Sequence, residues 1–298
     1  MERTFRTNIR ANVPRVKNIL LPARINLLGG WSDQLLWEDP VGAAVVNVPF
    51  GWEDDQCFDG CYPMMVTRKG FYSVITGQGT GLGVSSIKAA AEFLLDDPYG
   101  DFVGHALQWE WDEGTRGGWQ DQLILLPHLK LANTLDHQNF DIRCFKHPVL
   151  EHLVVFDSGI RRSARLLGDQ VRALFLDDTK KARSFRDFIR ELVGVTRGAI
   201  TLEAQEFIEA CLWSWGKFVE FVPDMDRLID PDTEQEVKIP TSPLIAGHMM
   251  LGAGGGGFGL CFAKDPDCRS QIIQTFDKVG LWAKTPVYLP GAKLVWED

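Results

Sequence analysis

Residues 77–86 read GQGTGLGVSS, with four glycines within seven positions followed by two serines. Residues 87–95 (IKAAAEFLL) come next, and their composition predicts a helix with one apolar face. Glycine allows tight turns and close approach of the backbone to a ligand. The N–H groups and the positive dipole end of a helix N-terminus favour phosphate. The segment therefore predicts a phosphate-binding loop, and the alternative is a flexible loop before an ordinary helix.

This glycine-rich loop differs from two common nucleotide-binding patterns. No Gly-Lys-Ser/Thr follows at the spacing of a P-loop, and no βαβ unit with a downstream acid surrounds it. Three other segments accompany it: residues 22–33 (PARINLLGGWSD), 117–122 (GGWQDQ) and 251–259 (LGAGGGGFG).

The set resembles the three motifs of the GHMP kinases, named for galactokinase, homoserine, mevalonate and phosphomevalonate kinases. The Gly-Gly-Trp-Ser-Asp and Gly-Gly-Trp-Gln-Asp-Gln variants are most similar to the L-fucokinase branch. The resemblance covers about residues 20–264 and implies an α+β fold of two domains. Residues 1–147 would form an ATP-binding domain like ribosomal S5 domain 2, and residues 148–298 a ferredoxin-like domain.

Composition agrees with an enzyme acting on small molecules. The chain has 298 residues, 45% hydrophobic, with a net charge of −9 that argues against a nucleic-acid partner. No apolar run approaches the ~18 residues of a membrane span. The first ten residues lack the apolar core of a signal peptide, although an organellar presequence is an alternative. Six cysteines form no disulfide framework or zinc pattern, so we expect reduced thiols in the cytoplasm.

Hydrophobic patterning predicts the order of elements. We expect a strand at 17–28, a strand at 41–50 and a strand pair within 64–75, helices at 87–95, 102–111 and 120–131, a strand within 149–157, mainly helices over 161–221, a loop at 229–243, and strands at 259–263 and 287–289.

A kinase needs a group that positions or deprotonates the acceptor hydroxyl. The resemblance assigns this role to Asp121, within residues 117–122, and the alternative for Asp121 is a helix N-cap. Arg24 matches the arginine of the first motif, and its guanidinium would favour the ionised carboxylate of Asp121. The alternative for Arg24 is a salt bridge at a strand end.

The glycine-rich loop and its helix would hold ATP and Mg²⁺. The residues expected at the phosphates are Gly79, Gly81, Leu82, Gly83, Val84, Ser85 and Ser86. Mg²⁺ prefers a few hard oxygen ligands, and the resemblance assigns these to Ser86 and Glu110. The alternative for Glu110 is a solvated helix face, since Asp112 and Glu113 lie close by.

The remaining candidate residues concern the sugar. Asp33 matches the sugar-binding acid of the family, and a carboxylate can accept hydrogen bonds from two vicinal hydroxyls. Gly30 stands where galactokinases have a glutamate that reaches the hydroxymethyl group. Trp31 and Trp119 could stack on the sugar or belong to the core, and three glycines complete the expected set: Gly118, Gly254 and Gly255.

These patterns predict an ATP-dependent kinase for the anomeric hydroxyl of a monosaccharide, with L-fucose favoured. One alternative is a kinase for D-glycero-D-manno-heptose 7-phosphate, in which a lysine stands where this chain has Trp119. Another is a sensor of sugar and ATP without turnover, although Ser86, Glu110 and Asp121 are all retained. Residues 34–38 (QLLWE) replace the Thr-Pro-Pro of fucokinases, so the sugar pocket would differ in shape.

Overall fold

A computed structural model describes residues 15–33, 42–76, 79–112, 118–126, 130–136, 139–144, 146–161, 164–230 and 232–297, without the side chains of 130–144, 164 and 165. The first ten residues, Gly77, Gln78, residues 34–38 and Gly117 lie outside this part of the chain. Within the described residues no helix has the length and apolar character needed to cross a membrane.

The fold is α+β, as predicted. Its elements are β1 Val16–Leu21, β2 Ala23–Leu28, β3 Ala43–Gly51, β4 Met64–Thr67, β5 Gly70–Ser73, α1 Val84–Asp96, α2 Phe102–Asp112, β6 Lys130–Asp136, β7 Asn139–Cys144, β8 Leu153–Asp157, α3 Ala164–Leu176, α4 Lys180–Gly198, α5 Ala204–Phe221, β9 Ile245–Met250, β10 Phe258–Ala263, α6 Arg269–Asp277, β11 Ala283–Lys284, β12 Val287–Tyr288 and β13 Lys293–Trp296.

These strands form three antiparallel sheets. One has the order β13-β1-β4-β5, and a second has the order β11-β8-β10-β9. In the third, β3 pairs with β2, β6 and β12, and β6 pairs with β7. The long strand β3 is buried along its whole length, because its apolar and β-branched residues suit a strand covered on both faces. It is therefore the scaffold for β2, which carries Arg24 and Asn26.

Helices cover these sheets and join them into one core. α1 packs against β1 and β4, and α4 packs against β3. Thr179 caps α4 by accepting a hydrogen bond from the Ala182 amide at 3.2 Å, which satisfies one of the free N–H groups at that end. The main hydrophobic core contains side chains from both halves of the chain, so the elements that carry the motifs share one packed interior.

The expected boundary between residues 147 and 148 stays a prediction. The sheet β11-β8-β10-β9 consists only of strands that follow this position. By contrast, β12 and β13 pair with β3 and β1, so the end of the chain returns to sheets built mainly by its first half.

Several predicted elements need correction. The strand predicted at 17–28 is two strands in different sheets, because Pro22 has no N–H to continue a ladder. The helix predicted at 120–131 is wrong: a short 3₁₀ helix, Gln122–Leu125, is followed by β6. Pro127 lies inside the predicted span and disfavours a continuous helix there. The sequence patterns also missed β6, β7, β9, β11, β13 and α6.

Candidate active site

The glycine-rich loop leads directly into a helix, as the sequence predicts. Gly79, Gly81 and Gly83 have positive φ angles of 71°, 76° and 70°, a region that glycine enters without steric strain. α1 begins at Val84, and its first backbone hydrogen bond runs from the Ile87 amide to the Gly83 carbonyl at 2.9 Å. The preceding N–H groups of the first turn are thus available for an anion.

Residues 251–258 pack against this loop. The Phe258 amide donates to the Thr80 carbonyl at 2.9 Å. A Cβ on Gly252 would lie 2.7 Å from the Gly81 Cα, and one on Gly257 would lie 2.5 Å from the Thr80 carbonyl oxygen. Only glycine permits two backbones to approach this closely, so both glycine-rich segments form one surface.

Two of the expected substrate-binding glycines lie on the other side of that surface. The Gly255 amide donates to the Met225 carbonyl at 2.5 Å. A Cβ on Gly254 would lie 2.9 Å from the Trp215 ring. The two glycines therefore lie against α5 and the residues that follow it, and their expected part in substrate binding stays a prediction.

Asp121 pairs with Arg24. The Arg24 Nε donates to Asp121 Oδ1, with the two side chains only 6% and 16% exposed. Asp121 also borders the glycine-rich loop, since a Cβ on Gly83 would lie 2.9 Å from its Oδ2. Although Asp121 precedes the 3₁₀ helix, its side chain makes no capping bond, so the N-cap interpretation is not seen. The buried Arg24 Nη1 has no partner among the described residues, which leaves a donor beside Asp121 for a ligand oxygen.

Asp33 belongs to a buried amide network around Gln120. The Gln120 backbone N–H and Nε2 donate to the two oxygens of Asp33 at 3.1 and 3.3 Å. The Asn26 Nδ2 donates to Gln120 Oε1 at 2.5 Å and to Asn47 Oδ1 at 3.0 Å. The Asn47 Nδ2 donates to the Gln120 carbonyl at 2.9 Å. The network thus ties β2 and β3 to the residue before Asp121.

The environment of Asp33 favours its protonated form. The side chain is completely buried, and burial raises the pKa of Asp33 to about 7, opposed by the Gln120 N–H and reinforced by the charge of Asp121. Its expected contact with sugar hydroxyls stays a prediction.

Glu110 lies inside the protein and not on a solvated helix face. It is 5% exposed, and the Gln122 Nε2 donates to its Oε1 at 2.8 Å. Burial raises the pKa of Glu110 to about 7, while a hydrogen bond from Ser86 lowers it and the charge of Asp121 raises it. The structure therefore brings Ser86, Glu110 and Asp121 together beside the glycine-rich loop.

This donor set fits a magnesium ion that also binds phosphate. Within the described ranges no three His, Cys, Asp or Glu side chains are arranged to hold a metal by themselves. Mg²⁺ commonly takes only one or two protein oxygens and completes its shell with water and phosphate. Ser86 supplies a hydroxyl and Glu110 a carboxylate, and a cation would relieve the penalty of ionising the buried Glu110.

The remaining sugar candidates differ in accessibility. Trp31 has a φ of 70°, uncommon for a bulky residue, and is partly buried against the main core. Beside it, a Cβ on Gly30 would lie 2.9 Å from the Asn26 Oδ1. Trp119 is completely buried with Ala43 and Val45, which matches its core interpretation.

Gly118 lies directly against Asp33. A Cβ there would collide with Asp33 Oδ2, so this glycine permits the close packing of residues 118–120 on the carboxyl group. Like Asp33, it belongs to the buried side of the site. Its expected contact with substrate stays a prediction.

Sequence patterns missed four polar residues of the site: Asn26, Asn47, Gln120 and Gln122. One signal was available for Asn47, the single polar side chain in the otherwise apolar strand β3. Buried amides require partners, so an asparagine in such a strand predicts a polar network. Gln120 and Gln122 were distinguished in the sequence only by their position next to Asp121.

No protein-family model matches the chain, but it is similar in sequence to two curated proteins and in fold to solved kinases. It is 29% identical over 341 residues to a bifunctional fucokinase/GDP-fucose pyrophosphorylase of Arabidopsis thaliana, covering 89% of this chain and 31% of that protein. It is 26% identical to an L-fucokinase/L-fucose-1-P guanylyltransferase of Bacteroides fragilis, covering 65% of this chain and 22% of that protein. The chain thus spans less than a third of either relative.

The fold matches solved kinases along nearly the whole chain. Lactococcus lactis galactokinase in complex with galactose superposes with a TM-score of 0.57 at 12% identity, covering 94% of this chain and 95% of that one. The chain therefore shares its α+β fold with this kinase, and its sequence is similar to two proteins with fucokinase in their names.

Proposed function

We propose that the chain is an ATP-dependent, Mg²⁺-requiring sugar kinase that phosphorylates the anomeric hydroxyl of a monosaccharide, with L-fucose as the preferred acceptor. One observation carries this proposal. The Arg24–Asp121 ion pair borders Gly83, the last residue of the glycine-rich loop before α1. A carboxylate next to a phosphate-binding helix end can hold an acceptor hydroxyl beside the phosphoryl group and take its proton.

In the proposed reaction Asp121 takes the proton of the acceptor hydroxyl. The hydroxyl oxygen then forms a bond to the γ-phosphorus, the bond from that phosphorus to the bridging oxygen breaks, and ADP leaves. Arg24 holds Asp121, and its unpartnered Nη1 donates to a substrate or phosphate oxygen as charge builds up.

The nucleotide phosphates would lie on the loop and first turn of α1. Backbone N–H groups of Gly79 to Ser86 donate to phosphate oxygens there. Ser86 and Glu110 would hold the metal ion, which would supply positive charge to the phosphate oxygens. Glu110 would take this role in its ionised form, which burial disfavours in the absence of a cation.

The choice of sugar rests on sequence similarity and on Gly30. Both curated relatives carry fucokinase in their names. Glycine at position 30 offers no acceptor for a hydroxymethyl group, which suits a 6-deoxy sugar. The sugar would lie beside Gly30 and Trp31, within reach of Asp121, with Asp33 and Gly118 supporting this side from beneath. Residues 1–147 and 148–298 would act as the two domains around the site.

We place this activity in the cytoplasm, where ATP is abundant and thiols stay reduced. The five cysteines with described side chains are all free, in keeping with that compartment. The partner we expect is the small-molecule sugar alone.

A direct test is release of ADP in the presence of Mg²⁺, ATP and single acceptors: L-fucose, D-galactose, D-mannose and D-glycero-D-manno-heptose 7-phosphate. We expect the highest kcat/KM for L-fucose, with D-galactose used up to ~10²-fold less well, because a pocket that lacks a partner for one hydroxyl discriminates only weakly. Faster turnover of the heptose phosphate would favour that alternative. Binding of sugar and ATP without ADP release would favour the sensor.

A further inference from the structure

We infer that the two glutamines flanking Asp121 are positioning residues with separate tasks: Gln120 fixes the base, and Gln122 orients Glu110 toward the metal. The inference rests on the proposed function. Three consecutive side chains contact different partners. Gln120 contacts Asp33 and Asn26. Asp121 contacts Arg24, and Gln122 contacts Glu110. One short segment thus connects every polar element of the candidate site.

Gln120 is held from three directions. Its carbonyl accepts a hydrogen bond from Asn47 at 2.9 Å, its Oε1 accepts from Asn26, and its Nε2 donates to Asp33 at 3.3 Å. These contacts fix the backbone immediately before Asp121. Because a displacement of ~1 Å at a reacting group can lower the rate ~10²-fold, this network sets the geometry of Asp121 and not the affinity for the nucleotide.

Gln122 performs a different task. Its side chain is completely buried, its Nε2 donates to Glu110 Oε1 at 2.8 Å, and its Oε1 has no partner among the described residues. A buried amide that makes one hydrogen bond to a carboxylate restricts the rotation of that carboxylate. Hydrogen bonds to metal-binding carboxylates typically account for ~10–100-fold in metal affinity or activity. Gln122 therefore keeps Glu110 turned toward Ser86.

The test substitutes each glutamine by methionine, which has a similar length and no amide. For Gln122→Met we expect the Mg²⁺ concentration for half-maximal activity to rise ~10-fold or more, with kcat at saturating Mg²⁺ largely retained. For Gln120→Met we expect kcat to fall ~10²-fold, with the Mg²⁺ requirement and the KM for ATP unchanged. Melting temperatures show whether each variant is folded.

Gln108→Met is the matched control. Gln108 lies on α2, and its Nε2 donates to Asp112 Oδ1 at 2.9 Å on the protein surface. The same substitution there removes a glutamine–carboxylate hydrogen bond of the same kind outside the site. We expect it to leave both kcat and the Mg²⁺ requirement unchanged.

A second readout separates this inference from the proposed function. Calorimetric titration of a non-hydrolysable ATP analogue at several Mg²⁺ concentrations reports metal-dependent binding without turnover. We expect the Mg²⁺ concentration that supports half-maximal binding to rise ~10-fold or more in Gln122→Met and to stay unchanged in Gln120→Met. If Gln122→Met does not fold, Gln122→Asn can be tested instead. Its side chain is shorter by one methylene, which moves the amide away from Glu110, and we expect the same result. Equal Mg²⁺ dependence in both variants and the wild type would overturn the inference, whereas absence of sugar turnover would overturn only the proposed function.

Discussion

Asp121 and Asp33 occupy two adjoining regions of the candidate site and differ in burial and in hydrogen-bond partners. Asp121 faces the glycine-rich loop, is paired with Arg24 and keeps 16% of its side chain exposed. Asp33 lies beneath Gln120 and Gly118, fully buried, with a pKa raised to about 7 by burial. Burial favours the neutral form of Asp33, although the hydrogen bond from the Gln120 N–H favours the charged form. The two carboxyl groups therefore lie in different surroundings, one beside the glycine-rich loop and one closed off from solvent.

The largest effect is expected from Asp121→Asn. Losing a positioned acid–base group lowers kcat by ~10²–10⁴-fold, while asparagine still offers Arg24 an acceptor and preserves the fold. Steady-state kinetics and nucleotide titration would show a loss of kcat with nearly unchanged ATP affinity. Asp59→Asn, which breaks the surface ion pair with Lys293, is the control that should leave turnover intact. A folded Asp121→Asn variant with wild-type kcat removes Asp121 from the mechanism.

Asp33 should instead be visible in the pH dependence of stability. The pKa of Asp33 in the folded chain is raised above its unfolded value. Its contribution to the free energy of unfolding is therefore full below pH ~4 and is lost as the pH rises toward 7. The difference in unfolding free energy between the wild type and Asp33→Asn should fall by up to ~4 kcal/mol across that window, at ~1.4 kcal/mol per pKa unit. Urea denaturation from pH 4 to pH 7.5 measures it.

An opposite control comes from Asp54, whose pKa is lowered by its hydrogen bond from Lys284. A group with a lowered folded pKa contributes stability above its unfolded pKa and loses it as the pH falls. The difference between the wild type and Asp54→Asn should therefore rise with pH. A flat Asp33 difference would show that Asp33 is as easily ionised in the folded chain as in the unfolded one.

Glu110 is a third carboxyl group of the site. It is buried like Asp33, but we propose that it binds the metal. Ser86→Ala and Glu110→Gln should each raise the Mg²⁺ concentration for half-maximal activity by ~10-fold or more, since each removes one hard oxygen from a site with few protein ligands. Glu92→Gln on α1, which breaks a surface pair with Lys88, serves as the control. An unchanged Mg²⁺ titration in Glu110→Gln would leave Glu110 with a structural role only.

The smallest effect concerns the two glycines that border the carboxyl groups. Gly118→Ala places a Cβ against the immobile Asp33 and should lower stability by ~1–3 kcal/mol, as overpacking does. Gly83→Ala brings a Cβ close to Asp121 and should lower stability by ~1–2 kcal/mol through its left-handed backbone. Gly60→Ala, with a φ of 75° and open space around it, controls for that strain. Unchanged stability in Gly118→Ala would contradict tight packing around Asp33.

Local sequence signals were sufficient for the parts of the fold with strong patterns. The glycine-rich loop and α1, the apolar strand β3 and the β4–β5 pair were all predicted, because helix composition, β-branched runs and turn residues are local properties. The weakly patterned strands β9, β11 and β13 were missed. Their pairing with β10, β8 and β1 depends on contacts distant in sequence.

The site shows the same division between local and distant information. The family resemblance predicted an interaction between Arg24 and Asp121, and the two side chains form an ion pair in the structure. It did not predict that Asp33 is closed off by Gln120 and Gly118, or that Glu110 is buried, because burial follows from tertiary packing. The amide network of Asn26, Asn47 and Gln120 joins three segments that are distant in sequence. The one local signal for it is Asn47, a polar residue in an otherwise apolar strand.

Phosphorus NMR of the product formed from Mg·ATP and L-fucose labelled with ¹³C at the anomeric carbon tests the central claim most directly. Transfer to the anomeric oxygen predicts a new phosphate monoester signal coupled to the labelled carbon, absent when Asp121→Asn replaces the wild type. A phosphate ester at any other carbon would contradict the assignment of the acceptor. Unchanged ATP, with sugar and nucleotide both bound, would contradict the assignment of Asp121 as the base of a sugar kinase.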